Sequence, residues 1–137
     1  MGKRERPIAA GPETSAQDAG RRRSNSVVIY HNPRCSTSRN ALKLLRDSGI
    51  EPTVVEYLKT PPTRGQLADM IHDAGIDVRS AVRKREPVYA EMDLDDAIED
   101  ELLDAMAANP ILIERPFVVT PKGTRLARPV DVLREVL

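Results

Sequence analysis

The sequence predicts an α/β domain in which a mixed sheet carries helices on its faces. Residues 27–58 read as strand, helix and strand, the order of a βαβ unit, which requires a parallel strand pair and a helical crossover. Residues 116–137 read as a hairpin followed by a helix, which extends such a sheet in the antiparallel direction. With 137 residues in total, the chain has room for one ordinary domain and not for two separate cores.

The first 26 residues form a polar segment that we expect to be a disordered extension, leaving residues 27–137 as the domain. The segment is rich in Gly, Pro and Ser and shows no apolar periodicity. It holds six Lys/Arg and three Asp/Glu but no aromatic residue, which is too little to predict nucleic-acid or membrane binding. The chain has no secretory h-region, no apolar run of about 18 residues and a net charge of zero, so we expect a cytoplasmic protein.

The βαβ unit begins with a β-branched run, Val27 to His31, that ends at Asn32-Pro33. A helix is predicted from Thr37 to Ser48, because small and apolar residues recur at helical spacing and Gly49 follows as a stop. Its predicted buried stripe consists of Ser38, Ala41, Leu42 and Leu45. The second strand is predicted over Thr53 to Leu58.

The middle of the chain reads as helical. Thr63 and Gln66 form a capping box that opens a helix with Leu67, Met70, Ile71 and Ala74 inward. A short helix is expected from Asp77 to Arg85. A longer acidic helix follows from Asp93 to Ala108, with Ile98, Leu102, Ala105 and Met106 facing inward. Its acids are spread around the helix, which favours a solvated face over a metal site.

The last part reads as extended segments followed by a helix. The extended segments are Ile111 to Glu114, Pro116 to Thr120 and Thr124 to Arg128, and Pro121-Lys122-Gly123 joins the last two as a hairpin turn. Pro129 is expected to start a terminal helix, since a first-turn proline loses no hydrogen bond. Its inward positions are Val130, Leu133 and Leu137.

Cys35 is the only cysteine, and it lies between the first strand and the first helix. One Cys with two His makes neither an internal disulfide nor a zinc site. Free N–H groups and the helix dipole favour a thiolate and a bound oxyanion at this position, and Arg34 and Arg39 add positive charge. We therefore predict a lowered thiol pKa. The alternative is a small buried hydrophobe, a common fate of a lone cysteine.

Ser38 completes a Cys-x-x-Ser arrangement, with serine where a dithiol oxidoreductase keeps its second cysteine. A mixed disulfide formed at Cys35 has no second cysteine within the chain to resolve it. Any redox cycle therefore needs thiols from a small molecule or a second protein.

Three separated motifs resemble the glutaredoxin-coupled arsenate reductases, a thioredoxin-like family. They are Tyr30-His31-Asn32-Pro33-Arg34-Cys35-Ser36-Thr37-Ser38-Arg39-Asn40, the run from Tyr57 to Arg64, and the run from Asn109 to Val119 with its continuation from Thr124 to Pro129. The resemblance covers the chain from about Val27 to its end. It implies a thioredoxin-like mixed four-stranded sheet with flanking helices and a helical insertion in the middle.

The resemblance also implies the site residues. Cys35 takes the nucleophile's place, Arg83, Arg115 and Arg128 match anion-binding arginines, and the supporting residues are His31, Ser38, Arg39 and Pro116. Arg115–Pro116 is implied to be a cis bond. Taken singly, the arginines also fit a solvated surface, and His31 fits a structural role. Ser36 stands where many members have glycine, and residues between Arg83 and Asn109 match poorly.

The activity that the resemblance implies is reduction of arsenate to arsenite through a Cys–As(V) adduct. Glutathione or another small thiol and glutaredoxin or a similar protein would complete the reduction, with no bound cofactor or metal. We expect a monomer without nucleic-acid or membrane partners. A redox-responsive transcriptional regulator that binds RNA polymerase is the alternative, although such relatives usually carry Cys-x-x-Cys and lack the full arginine set. A relative with another substrate or none is a third reading.

Overall fold

The computed structural model describes residues 26–137, which contain a four-stranded mixed sheet. The strands are β1 (Val28–His31), β2 (Thr53–Glu56), β3 (Phe117–Thr120) and β4 (Gly123–Leu126), arranged in the order β2-β1-β3-β4. β1 and β2 are parallel, while β1 with β3 and β3 with β4 are antiparallel. The predicted mixed sheet is confirmed. The predicted disordered extension lies outside the described residues, apart from Ser26.

Helix α1 (Ser36–Asp47) connects the two parallel strands and packs three of its four predicted stripe residues into the core. Ser38, Ala41 and Leu45 are fully buried, whereas Leu42 is partly exposed. The helix ends before Gly49, whose φ of +84° suits a residue without a side chain. β2 is shorter than predicted because the chain turns at Glu56, whose carbonyl accepts the N–H groups of Lys59 and Thr60 at 2.9 Å.

Helix α2 (Arg64–Asp73) opens with the predicted capping box. The N–H of Gln66 donates to the Thr63 hydroxyl at 3.1 Å, and the N–H of Thr63 donates to the Gln66 side chain at 2.9 Å. The predicted helix from Asp77 to Arg85 is instead a 3-10 turn, Val78–Ala81. A short helix, α3 (Pro87–Glu91), then follows where none was predicted.

The predicted single helix from Asp93 to Ala108 is wrong in its first third. Asp93 adopts a left-handed conformation with a φ of 54°, which separates α3 from a 3-10 turn at Leu94–Asp96, and helix α4 covers only Glu99–Ala108. Ile98 was predicted to face inward, but it is the residue before α4 and is 65 % exposed. The inward side of α4 consists of Leu102, Leu103, Ala105 and Met106.

The C-terminal hairpin turns at Pro121 and Lys122 as predicted. Residues Ile111 to Glu114 are not a strand: Pro110–Leu112 form a 3-10 turn, and Ile113 makes an isolated antiparallel bridge with Val82. The final segment, Val130–Val136, is a 3-10 helix with Leu133 and Val136 buried.

Two apolar clusters, which the alternation along β3 assigns to opposite faces of the sheet, form the core. Phe117 belongs to the cluster with the helical middle, and Val118, the next residue, belongs to the cluster with α1 and the final 3-10 helix. Within residues 26–137 no helix combines the length and apolarity needed to cross a bilayer. The carboxyl end of β1 and the start of α1 meet beside β3, and Cys35 lies there.

Candidate active site

Cys35 is the N-cap residue of α1, with extended backbone angles of −97° and 122°. Its carbonyl accepts the first helical hydrogen bond, from the N–H of Arg39 at 2.9 Å, and its own N–H donates to Asn32 O at 3.0 Å. This geometry leaves the N–H groups of the first helical turn directed at the side chain. The residue is 9 % exposed, so most of it is shielded from solvent.

The pKa of the Cys35 thiol is lowered, as the sequence predicted. Burial favours the neutral thiol, but other contributions outweigh it: the backbone N–H groups of Ser38 and Thr37, the charge of Arg115 and a hydrogen bond from Arg128. The thiolate is the form that attacks electrophiles. The site therefore provides a nucleophilic sulfur beside fixed positive charge.

Arg128 approaches the sulfur directly. Its Nη1 lies 3.9 Å from Cys35 Sγ and donates to the carbonyl of Arg115 at 3.2 Å. The second bond fixes the guanidinium group between the cysteine and the backbone that precedes β3. A cation is thus held at the thiolate by the segment that follows β4.

Arg115 is a nearly buried cation, only 7 % exposed. Its Nη1 donates to Glu114 Oε1 at 2.9 Å, while its Nε is buried without a hydrogen-bond partner. A buried donor without a partner costs stability unless a ligand or water supplies an acceptor. Arg115 is therefore prepared to bind an acceptor that is not part of the chain.

Arg83 reaches the site through the isolated bridge between the helical middle and the segment before β3. Its backbone N–H donates to Leu112 O at 2.7 Å, and the N–H of Glu114 donates to Ala81 O at 2.8 Å. Its Nη1 pairs with Glu86 Oε2 at 3.1 Å, and its buried Nε has no partner. The bridge aligns Arg83 with the chain that carries Arg115, although the two are far apart in sequence.

His31 and Ser38 hold the loop that precedes Cys35. The His31 Nδ1 and the Ser38 hydroxyl are 2.6 Å apart, and the same hydroxyl accepts the N–H of Asn32 at 3.0 Å. Burial is the main cause of a lowered His31 pKa; the charges of Arg46 and Arg39 act in the same direction and Glu56 opposes them. Both side chains are buried, and their hydrogen bonds connect the end of β1 to the first turn of α1.

Arg39 and Pro116 each make a hydrogen bond to a segment next to the site. The exposed Arg39 donates from Nη1 to the carbonyl of Pro33 at 2.9 Å, which braces the loop. The Arg115–Pro116 bond is cis, as the resemblance implies, and Arg128–Pro129 is also cis. The carbonyl of Pro116 accepts the N–H of Ala127 at 2.9 Å, which connects the two segments that carry Arg115 and Arg128.

Sequence reasoning missed three residues that the structure places here: Tyr57, Glu86 and Glu114. Tyr57 is 1 % exposed, and burial is the main cause of its raised pKa, with the charge of Cys35 acting in the same direction; Asn32, Arg115 and Arg83 lie near enough to lower it. Its hydroxyl approaches the Asn32 side chain, but within residues 26–137 that contact falls short of hydrogen-bond geometry and leaves the hydroxyl without a partner. The parallel pairing of β1 and β2 was a usable signal, since their carboxyl ends lie side by side and Tyr57 follows β2.

The three buried side-chain atoms without a hydrogen-bond partner in the described part of the chain are Tyr57 Oη, Arg83 Nε and Arg115 Nε. Each of them can donate a hydrogen bond. Such a set suits a ligand rich in acceptors, such as an oxyanion. Residues 26–137 contain no group of three or more His, Cys, Asp or Glu that could hold a metal ion.

The sheet order and a cysteine at the start of the first helix define a thioredoxin-like protein with a single-cysteine site. Residues 30–136 match the ArsC family, and the chain belongs to that family.

Its relatives and a solved structure agree with this assignment. The chain is 56% identical over 114 residues to an arsenate reductase of Rhizobium meliloti (strain 1021), covering 82% of this chain and 81% of the relative. It is 52% identical over 115 residues to an arsenate reductase of Escherichia coli (strain K12), with 82% of each chain covered. An arsenate reductase structure from Vibrio cholerae superposes with a TM-score of 0.77 at 43% identity, covering 81% of this chain and 97% of that one.

Proposed function

We propose that this ArsC-family enzyme reduces arsenate to arsenite, with Cys35 as the nucleophile. The observation that carries the proposal is the Cys35 thiol, whose pKa is lowered and whose sulfur lies 3.9 Å from Arg128 Nη1. The names of the relatives supply the substrate, since those proteins are arsenate reductases.

The first step forms a bond between sulfur and arsenic. The Cys35 thiolate attacks arsenic, one hydroxyl group of the protonated arsenate takes up a proton and leaves as water, and arsenic stays in the +5 state. Two anions approach each other in this step, so fixed cations must offset their repulsion. Arg83, Arg115 and Arg128 are the substrate-binding residues in this proposal, because planar guanidinium groups bind tetrahedral oxyanions through paired hydrogen bonds.

The supporting residues keep the nucleophile in position. His31 and Ser38 hold the loop, Arg39 braces it at Pro33, and Pro116 aligns the segments that carry the arginines. Their contribution is to preorganise the site, so that little rearrangement is needed when the substrate binds.

Two external thiols complete the reduction, because the chain contains no second cysteine. The first, glutathione or another small thiol, displaces a second oxygen as water and becomes bonded to arsenic. A second thiolate attacks that sulfur and forms a disulfide, and the electron pair of the broken As–S bond reduces arsenic to +3. Water then cleaves the bond to Cys35 and releases arsenite. One arsenate and two thiols thus give arsenite, one disulfide and water, and two electrons pass to arsenic.

Glutaredoxin or a similar protein is the proposed source of the second thiol. A protein thiol whose pKa lies near the ambient pH attacks the arsenic-bound sulfur faster at neutral pH than a free small thiol of higher pKa does. No bound cofactor is required in this scheme.

The test is arsenate-dependent oxidation of NADPH in a mixture containing the protein, glutathione, glutathione reductase and glutaredoxin. We expect turnover with the full chain and none with Cys35→Ser. Omitting glutaredoxin should lower the rate without affecting the fold. If the wild-type protein shows no turnover with any of several thiol donors, the proposed activity is wrong.

A further inference from the structure

The guanidinium groups proposed to bind substrate already face carboxylates. Glu114 Oε1 accepts from Arg115 Nη1 at 2.9 Å and lies 4.0 Å from Arg128 Nε. Glu86 Oε2 lies 3.1 Å from Arg83 Nη1. Glu114 is therefore shared between two arginines, and one of them contacts the Cys35 sulfur.

We propose that Glu114 is a specificity-determining residue, which makes the site select tetrahedral oxyanions that retain a proton and reject those that are fully ionised. The inference rests on the proposed function, because it concerns the same oxyanion pocket. The accepted class comprises arsenate and phosphate, each of which keeps at least one proton at neutral pH. Sulfate, which keeps none, is the rejected class.

The chemistry of a carboxylate carries this selection. An ionised carboxylate accepts hydrogen bonds and donates none. An As–OH or P–OH group can donate to it, whereas every oxygen of sulfate is an acceptor and is repelled. A polar group in a site rejects an analogue that lacks its hydrogen-bonding partner much more strongly than an apolar contact can.

The backbone keeps Glu114 at this position. Its N–H donates to Ala81 O at 2.8 Å, next to the bridge between Val82 and Ile113. The side chain is 23% exposed, so the carboxylate is partly open to solvent and not enclosed in the core. An arriving oxyanion therefore meets Glu114 together with Arg115 and Arg128.

Glu114 also explains how a nearly buried arginine is tolerated before substrate binds. The side chain of Arg115 is only 9% exposed, and an uncompensated charge at such a place is costly. The carboxylate balances this charge, and it remains close when the substrate arrives. Glu114 thus stabilises the unliganded site and also determines which oxyanions bind.

The test measures how well inorganic phosphate and sulfate protect Cys35 from alkylation by iodoacetamide in the full-length protein, at constant pH and ionic strength. For the wild-type protein we expect phosphate to protect at concentrations at least about tenfold lower than sulfate, the preference that a required hydrogen bond imposes. For Glu114→Gln we expect sulfate protection to improve about tenfold and the preference to shrink, because the amide can donate to an ionised oxygen.

Glu86→Gln is the matched control. It removes the negative charge of the carboxylate beside Arg83 but leaves the Glu114 carboxylate beside Arg128 in place. The wild-type preference for phosphate should therefore persist. Three results would overturn the proposal: equal protection of the wild-type protein by sulfate and phosphate, an unchanged preference for phosphate in Glu114→Gln, or an equal loss of preference in both variants. Equal protection by sulfate and phosphate is measured on the wild-type protein alone, so the proposal stays testable even if Glu114→Gln does not fold. Alkylation needs no turnover, so a missing arsenate reductase activity would be recognised separately in the coupled assay.

Discussion

The Cys35 thiolate is stabilised by two kinds of group that differ in how easily they can be removed. Backbone N–H groups of Ser38 and Thr37 belong to the first turn of α1 and persist in any variant that keeps the helix. Arg115 and Arg128 contribute charge through side chains that other segments hold in place. Loss of one arginine should therefore raise the thiol pKa only part of the way to that of free cysteine.

The hydroxyl of Tyr57 gives a prediction about stability. Because this buried group completes no hydrogen bond in the described structure, Tyr57→Phe should leave the free energy of unfolding unchanged or raise it slightly. Tyr89 is the matched control, since it is 5 % exposed and its hydroxyl accepts from Arg79 Nη1 at 3.0 Å. Tyr89→Phe should lower the free energy of unfolding by about 1 kcal/mol.

Urea unfolding followed by circular dichroism measures both tyrosine variants. A loss in Tyr57→Phe as large as that in Tyr89→Phe would show that the Tyr57 hydroxyl has a partner in solution. It would also remove Tyr57 from the set of donors open to a ligand.

At the scale of elements, the start of α4 is the clearest difference between prediction and structure. Helical periodicity placed Ile98 on the inner face, but the helix begins after it, and the carboxylate of Glu101 accepts its N–H at 3.0 Å. The predicted helix is divided at Ala97 and Ile98, whose backbones are extended, and neither residue is a glycine or proline that would signal a break. Periodicity also cannot distinguish a short α-helix from a 3-10 turn, which is why Val78–Ala81 was predicted too long.

Ile98 occupies a position where helices prefer Ser, Thr, Asp or Asn, and it is 65 % exposed. Ile98→Ser should raise the free energy of unfolding by about 0.5–1 kcal/mol, because the hydroxyl adds an acceptor for a free N–H of the first turn and little apolar burial is lost. Chemical denaturation measures the change. Ile111→Ser is the control, at a 43 % exposed position that caps no α-helix, and should give little change; a loss of stability in Ile98→Ser would contradict the capping argument.

At the scale of the whole molecule, local patterns predicted the sheet and the elements next to it, but neither the elements between Asp77 and Glu114 nor the way distant segments meet. The strand–helix–strand start, the capping box and the hairpin turn all followed from residues close together in the chain. The meeting of Arg83, Arg115 and Arg128 depends on a bridge and a sheet order that join distant segments, and only the family resemblance indicated it. Their carboxylate partners were missed for a different reason. Glu86 and Glu114 lie three residues and one residue from Arg83 and Arg115, and charged pairs this close in sequence are typical of solvated surfaces, so the spacing alone did not indicate a site.

The folded chain as a whole lowers the Cys35 pKa, so unfolding should abolish the effect. In the pH range between the folded and unfolded pKa values the unfolded chain binds more protons, and this group's contribution to stability therefore increases as the pH rises. This contribution to stability is fully present above the pKa of the unfolded chain, and it is lost as the pH falls through the pKa of the folded protein.

The most direct test is an ultraviolet titration of the thiolate in the full-length protein, in which the single cysteine provides the only thiolate and Cys35→Ser supplies the background from the three tyrosines. We predict a native midpoint clearly below the value of about 8.5 for free cysteine, and a return to that value in concentrated urea. A native midpoint at or above the free value would contradict the account, because Cys35 would then lack the thiolate on which the proposed chemistry depends.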